Sequence, residues 1–444
     1  MSFSTIAFAF KKATVLRDSA SAERDFHRDE SLPYAELNEL QNQRAIDHAR
    51  FAFEHTAFYR EFYRSAGFTS ADLRDPAAFI ELPVVDKTMV RERNSEFISD
   101  EANASTSATS TTGGSTGEPL KLLRDVRFQA RALEWRLFRW WGIEPQANIA
   151  TITRHVKSRG QSRRHAIQWW PSRRFQLDAF DMNRSSVQHF LKQWDRIKPD
   201  LMIGYVGAVA EVARIIETEC MQISPPKAIA VTAAPLTPAQ RDLIQSVFRA
   251  PVYDHYRSAE VPWIAGECLE QSGLHVFNDV RKLELLDSDG KPAPDETIGD
   301  VVVSDLTNRV FPLIRYRLGD RTAYMSEKCS CGVTFPRIRP VSGRTSDVLH
   351  LPNGQSVAGE GLAQIFSSTP DAVRQFQIRQ AADYSITIKC VMGSSPDATR
   401  DIQSALIRFR EIVHDSVSVQ LDLVDSIPHD GGKTRYLVSE VSRA

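Results

Sequence analysis

The sequence predicts an α/β protein in two parts. A large multi-layer N-terminal domain of sheets with flanking helices is expected over residues 1–345, and a small α+β C-terminal domain over residues 346–444. Three observations carry this. A chain of 444 residues with 42% hydrophobic content exceeds what one core usually serves. Short apolar runs bounded by loops alternate with helical segments through the middle of the chain, the pattern of a sheet with helices on its faces. Beyond Ser346 the elements shorten into a strand-and-helix unit of a size to form its own core.

The elements follow in order. Residues 1–100 read as helical. Leu37 to Phe53 places apolar residues at helical spacings, Asp86 to Arg91 opens another turn, and the region is expected to act as a lid or an assembly surface. The apolar runs Asn148–Thr153, Ala228–Thr232 and Val301–Ser304 are expected strands, and Val206–Thr218 and Pro238–Phe248 expected helices. In the last part the pattern predicts a helix over 359–368, strands over 374–379 and 385–391, a helix over 396–414 and a strand over 416–424. The apolar run Ile6–Phe10 is too short for a signal sequence and precedes its lysines, and no stretch has the roughly 20 apolar residues that span a bilayer. A net charge of −1 gives no global attraction to nucleic acid or to acidic membranes, and five cysteines without a secretion signal point to a reducing, cytoplasmic setting.

Ser105 to Pro119 reads STSATSTTGGSTGEP, in which twelve of fifteen residues are Ser, Thr or Gly. Glycines free such a backbone to curl, and its N–H groups and hydroxyls can surround a phosphate. Glu118 and Pro119 stand where a P-loop needs Lys and Ser or Thr, so this is either another kind of phosphate loop or a flexible linker. Further along come Tyr256-Arg-Ser-Ala-Glu260, Tyr316-Arg-Leu-Gly-Asp320, Gly343-Arg344-Thr345 and Gly432-Lys433.

With the hydroxyl loop, these segments resemble the AMP-forming acyl ligases, which make acyl-adenylates. Leu82-Pro-Val-Val-Asp-Lys87, Leu306 to Arg317 and Cys329-Ser-Cys331-Gly are most similar to the phenylacetate-CoA ligase branch, and the resemblance runs from about Phe58 to the C-terminus. It implies a hinge just after Arg344 and a mobile C-terminal domain. Many relatives carry Asp two positions after that arginine, and this chain has Ser346 followed by Asp347.

The implied chemistry brings a carboxylate against an α-phosphate, two anions that need positive charge and a metal between them. By resemblance Thr111, Thr112, Gly113, Ser115, Thr116 and Gly117 hold the ATP phosphates. Glu260 holds Mg²⁺, Ala233, Ala234, Pro235 and Asp254 meet the adenine, and Tyr256 stacks on the base. Asp320 and Arg344 bind the ribose, and Lys433 reaches the reacting carboxylate and α-phosphate. Arg257 and Ala259 depart from this motif, which has a small residue after the tyrosine and a hydroxyl before the glutamate. Trp135, Gly204, Tyr205 and Gly207 are candidate acid-pocket residues.

Cys329 and Cys331, with Cys268 and His275, offer three soft thiolates and one imidazole. By spacing alone buried free cysteines are the commoner outcome, and the branch resemblance implies a structural Zn²⁺. Arg154 to Arg174 holds seven Lys or Arg and no acid around Trp169-Trp170. It reads as a solvated loop packed by its tryptophans, as a binder of CoA or another anionic acceptor, or as a site for single-stranded nucleic acid.

The implied reaction is ATP-dependent activation of an aromatic or arylacetic acid, then transfer to CoA. The alternatives are transfer to an amine or a carrier protein, and a zinc-bearing nucleotide- or acyl-binding protein that has lost catalysis. Expected partners are therefore ATP, Mg²⁺, CoA, Zn²⁺ and a small carboxylic acid, with no membrane, nucleic acid the least favoured partner, and a homodimer left open.

Overall fold

The structure is a computed structural model that describes residues 3–111, 120–153, 159–179, 182–341, 343–344, 348–353, 356–358, 362, 365–366, 372–393, 395–413, 416–427 and 437–441. Its central feature is a nine-stranded sheet. Five parallel strands lie in the order Val252–Tyr256, Ala228–Thr232, Leu201–Tyr205, Ile149–Thr153 and Arg174–Asp178. Beyond Val252–Tyr256 the sheet continues antiparallel through Ala265–Glu267, Leu274–Val276, Arg337–Ile338 and Tyr324–Met325. The parallel strands are short and apolar because both faces are covered. Phe190, Trp194, Val209 and Phe248 pack on one face, while Leu133, Trp135, Phe138 and Trp141 pack on the other.

The helices Val206–Thr218 and Pro238–Phe248 fall where the apolar periodicity puts them. The second starts on a capping box between Thr237 and Gln240, with Pro238 in its first turn, where a missing N–H costs nothing. A second sheet, antiparallel, contains Arg281–Leu286, Gly299–Asp305, Tyr316–Thr322 and Gly343–Arg344.

The first hundred residues are helical as expected, but they do not form a lid. Ala45, Ile46, Phe58, Tyr59 and Phe97 enter one core with Val301, Val303 and Phe311 of the second sheet. The apolar positions that define helix Tyr34–His55 are simply its buried face. The basic run around Trp169 is also not a loop throughout, since Arg159–Trp169 is a helix.

Helix Ala130–Trp140 is fixed by an ionic hub. The Arg136 guanidinium, 1% exposed, donates to Glu30 at 2.8 Å and to both Asp279 oxygens at 2.5 and 3.0 Å. Arg139 and the Trp140 indole also donate to Glu30. Removing the cation would take both of its hydrogen bonds from the buried Asp279 carboxylate and leave Glu30 to Arg139 and Trp140. Arg136→Met is therefore expected to cost about 3–5 kcal/mol, read as a fall in the denaturant midpoint.

The C-terminal part has a core of its own, from Leu349 and Phe376 through Phe409 to Leu437. Helix Ala398–Ile412 packs on a four-stranded sheet in the order Val419–Leu423, Ile386–Met392, Val373–Gln380 and Leu437–Ser439. Of the expected helix over 359–368, only residues 362, 365 and 366 are described, and they are helical.

Candidate functional site

In sheets of this kind ligands bind beyond the carboxyl ends of the parallel strands. Two of those ends carry the motifs. Ala228–Thr232 finishes at Thr232, whose Oγ1 donates to the His255 carbonyl at 2.8 Å. The chain then turns through Ala233 at φ +75°, an uncommon conformation for a residue with a Cβ. Val252–Tyr256 finishes at Tyr256, whose hydroxyl donates to Asp320 Oδ2 at 2.7 Å.

Asp320 lies on the second sheet, preceded by Gly319 at φ +86° and paired through its backbone with Arg344. One hydrogen bond thus joins the two sheets where the Tyr-x-x-x-Glu and Arg-Leu-Gly-Asp segments meet. Val85 exchanges backbone hydrogen bonds of 2.9 and 2.8 Å with Arg315 and Arg317. That places Lys87 beside the site, with its Nζ 3.7 Å from Glu260 Oε1.

Tyr256 directs its hydroxyl to Asp320, a role additional to the stacking implied by the resemblance. Asp254 is buried, and its carboxyl is pushed up to about 8 by burial first and by Glu267 second, with Arg241 opposing. Ala234 and Pro235 are half-buried in the loop after Thr232. Thr111 ends strand Ser107–Thr111, which pairs with Lys121–Asp125. Thr112, Gly113, Ser115, Thr116, Gly117 and Lys433 lie outside the described residues.

The candidate pocket residues divide. Gly204 allows close strand–helix packing, because a Cβ there would stand 2.6 Å from the Val209 side chain. Tyr205 precedes helix Val206–Thr218, and a Cβ on Gly207 would meet open space. Trp135 is buried under the N-terminal helix Phe3–Ala13, with Phe8 packed edge-on at 5.8 Å and Lys12 above it at 5.2 Å.

Sequence reasoning missed a polar group on the same face of the main sheet. Arg131 and Glu134 come from helix Ala130–Trp140, and Arg174 begins the edge strand. Arg257 stands 4.6 Å over the ring of Trp263. The basic run and the displaced Arg257 were its sequence signals, but the helical residues carried none. Between Trp141 and Trp263, His255 is fully enclosed, and burial and then Arg257 lower its imidazole to about 3.

The second cluster contains Cys268, His275, Cys329 and Cys331, whose donor atoms lie within 4.8 Å of one another. Cys268 Sγ is 3.6 Å from Cys329 Sγ, and Cys331 Sγ is 3.4 Å from His275 Nε2. Tetrahedral zinc with bonds of about 2.3 Å to sulfur and 2.0 Å to nitrogen has ligand–ligand edges of roughly 3.8 and 3.5 Å, so the set fits. His275 is held neutral, at about 4, chiefly by burial, and its Nδ1 donates to the Phe335 carbonyl at 2.8 Å. That leaves Nε2 as the donor atom toward a metal.

Comparison with known proteins agrees with the motifs. Residues 349–440 match the CapK C-terminal domain family. The phenylacetate-coenzyme A ligase of Thermus thermophilus is 24% identical over 365 residues, 79% of each chain. The enzyme of that name from Escherichia coli is 24% identical over 427 residues, covering 91% of this chain and 95% of its own. A 2-hydroxyisobutyryl-CoA ligase, solved in its postadenylation state with an acyl-AMP, superimposes with a TM-score of 0.76 over 93% of this chain and 91% of its own. It is 20% identical, so the likeness is one of fold. The chain is a mixed α/β protein with a large N-terminal and a smaller C-terminal domain, in the fold of the acyl-CoA ligases.

Proposed function

We propose that the chain is an AMP-forming acid–CoA ligase. It joins a carboxylic acid to the α-phosphate of ATP, releases pyrophosphate, and passes the acyl group to the CoA thiol as a thioester. The observation that carries the reading is the contact of Tyr256 with Asp320, beside Glu260 and Lys87, in a chain whose relatives bear this activity's name along most of their length.

In this reading residues 1–345 build the adenylation site and residues 346–444 bring Lys433 to it. The Ser105 to Pro119 loop holds the phosphates, Ala233 to Pro235 with Asp254 receives the adenine, and Asp320 with Arg344 the ribose. Glu260 fits a magnesium ion bound mainly by substrate phosphates, since such sites need one or two carboxylates. The ion would supply charge neutralisation when bound. Lys87 contributes a second positive charge near the same carboxylate. Among the described residues no helix is long and apolar enough to cross a membrane, and a reducing cytoplasm would keep the cysteines from oxidising to disulfides.

Pyrophosphate release over a panel of acids, with and without CoA, tests the proposal. Release that needs an acid, and a thioester that forms only with CoA, are the expected results. Hydroxamate trapped by hydroxylamine without any thioester would show adenylation alone, and an amide formed only with an added amine would instead place an amine as acceptor. The relatives' phenylacetate makes aromatic and arylacetic acids the first members of the panel.

We also assign Cys268, His275, Cys329 and Cys331 to a structural zinc. Four protein ligands leave no position for water, so the ion would order the fold without entering the reaction. Elemental analysis is expected to find one zinc per chain, and chelation to lower the melting temperature. Metal-free protein with an unchanged melt would remove the assignment.

A further inference from the structure

The acid pocket of an arylacetate ligase calls for apolar walls, yet the sheet face under helix Ala130–Trp140 carries a concentration of arginine. The Arg174 side chain, 12% exposed, lies 3.8 Å from Glu134, itself 15% exposed. The Arg174 guanidinium centre is 3.4 Å above the ring of Trp169, and that of Arg131 stands over the same ring at 4.5 Å. Arg257 covers Trp263 and follows directly on Tyr256, the residue that meets Asp320. Lys11 approaches the same corner, donating to the carbonyls of Gln168 and Trp170 at 2.5 and 2.7 Å.

Among the described residues these charges are poorly compensated. Among the described residues Glu134 is the carboxylate paired with Arg174, and Arg124, Arg131 and Arg257 have none within 4.0 Å. Nε and Nη2 of Arg174 and Nε of Arg124 are buried without a hydrogen-bond partner among the described residues. Burial, and then the charge of Arg124, lower the Arg257 pKa, while Glu134 and Tyr205 oppose this. Burial also depresses Arg174, with Arg131 adding to it.

A buried lysine in this position could shed its proton, but arginine stays charged at any physiological pH. Stacking on tryptophan faces offsets part of the desolvation and leaves Nε and Nη2 of Arg174 without a partner among the described residues. Planar forks with vacant edges match carboxylate and phosphate oxygens.

We propose that Arg131, Arg174 and Arg257, with Arg124 behind them, receive a second anionic group on the acid being activated. The substrate is then a dicarboxylic, phosphorylated or sulfonated acid, not an apolar arylacetate. The inference rests on the ligase reading, because it names the acid of that same site. CoA offers phosphates of similar chemistry, but the enclosure of Arg174 between helix and sheet suits a small acid better than a phosphate at the end of a long cofactor.

The test uses ATP–pyrophosphate exchange, which needs no CoA, on matched probes: 4-carboxyphenylacetate against phenylacetate, and succinate against butyrate. The dianionic member of a pair should be preferred in kcat/KM by at least about tenfold, because the monoanionic one leaves buried donors unpaired. In Arg174→Gln and Arg257→Gln this preference should collapse toward unity, with KM for ATP as internal reference and thermal melts reporting the fold.

Equal or better use of the monoanionic acids by the parent protein would overturn the proposal and leave the ligase reading standing. A preference untouched in both variants, with KM for CoA raised in the thioester step, would also overturn it and assign the arginines to CoA. If no acid supports exchange, the ligase reading falls separately. Calorimetric titration of the four probes into the parent and Arg174→Gln proteins then decides the anion site, and absence of Arg174-dependent binding refutes it.

Discussion

Lys433→Ala should lower acyl-adenylate formation by about a hundredfold or more while ATP still binds. The reacting carboxylate and the α-phosphate repel, and charge grows on the phosphate oxygens as pyrophosphate departs. An ammonium aimed at that position lowers the barrier far more than it strengthens ground-state binding, so the loss should fall on kcat. The lysine follows Gly431 and Gly432 in the sequence. Exchange of labelled pyrophosphate into ATP measures the step directly, and nucleotide titration measures binding. Full exchange in the variant would transfer the role to another cation, for which Lys87, 3.7 Å from Glu260, is a described candidate.

Asp320→Ala should weaken ATP binding by about 1.5–3 kcal/mol for each charge-assisted hydrogen bond lost. A carboxylate has roughly four acceptor positions, enough to accept from Tyr256 and from both ribose hydroxyls together. The alanine variant should therefore discriminate less than the parent against 2′-deoxy- and 3′-deoxy-ATP. Tyr256→Phe provides the control, since it removes the tyrosine hydroxyl and keeps the carboxylate. Unchanged discrimination after Asp320→Ala would end the ribose assignment.

Much of this was legible in the sequence for identifiable physical reasons. Val206–Thr218 and Pro238–Phe248 are regular helices with one apolar stripe, and the second also carries its capping box. Ala228–Thr232 is a continuous apolar run because it is buried on both faces. The cysteines and His275, distant in sequence, were grouped by resemblance, and the folding of Leu274–Val276 onto Arg337–Ile338 shows how they meet.

What escaped were roles set only by tertiary packing. A helical first hundred residues can lie over a site or inside a core with equal periodicity, and only the contact of Phe58 and Phe97 with Phe311 decides between them. Arg131 and Glu134 look like ordinary surface residues of an amphipathic helix until Arg174 and Trp169, about forty residues later, close over them.

Helix Ala130–Trp140 divides its labour by face. Arg136, Arg139 and Trp140 hold Glu30, while Arg131 and Glu134 look toward Arg174 and Trp169. Glu30 also accepts, through its backbone carbonyl, hydrogen bonds from the N–H and hydroxyl of Thr334, three residues past Cys331. The helix is thus bolted to the body of the protein by residues other than those proposed to receive the substrate. Positions 131 and 134 can drift in evolution, or be randomised in a library, without loosening the bolt. New acid preferences could therefore arise on this scaffold by exchanging one face of a helix whose other face keeps it in place.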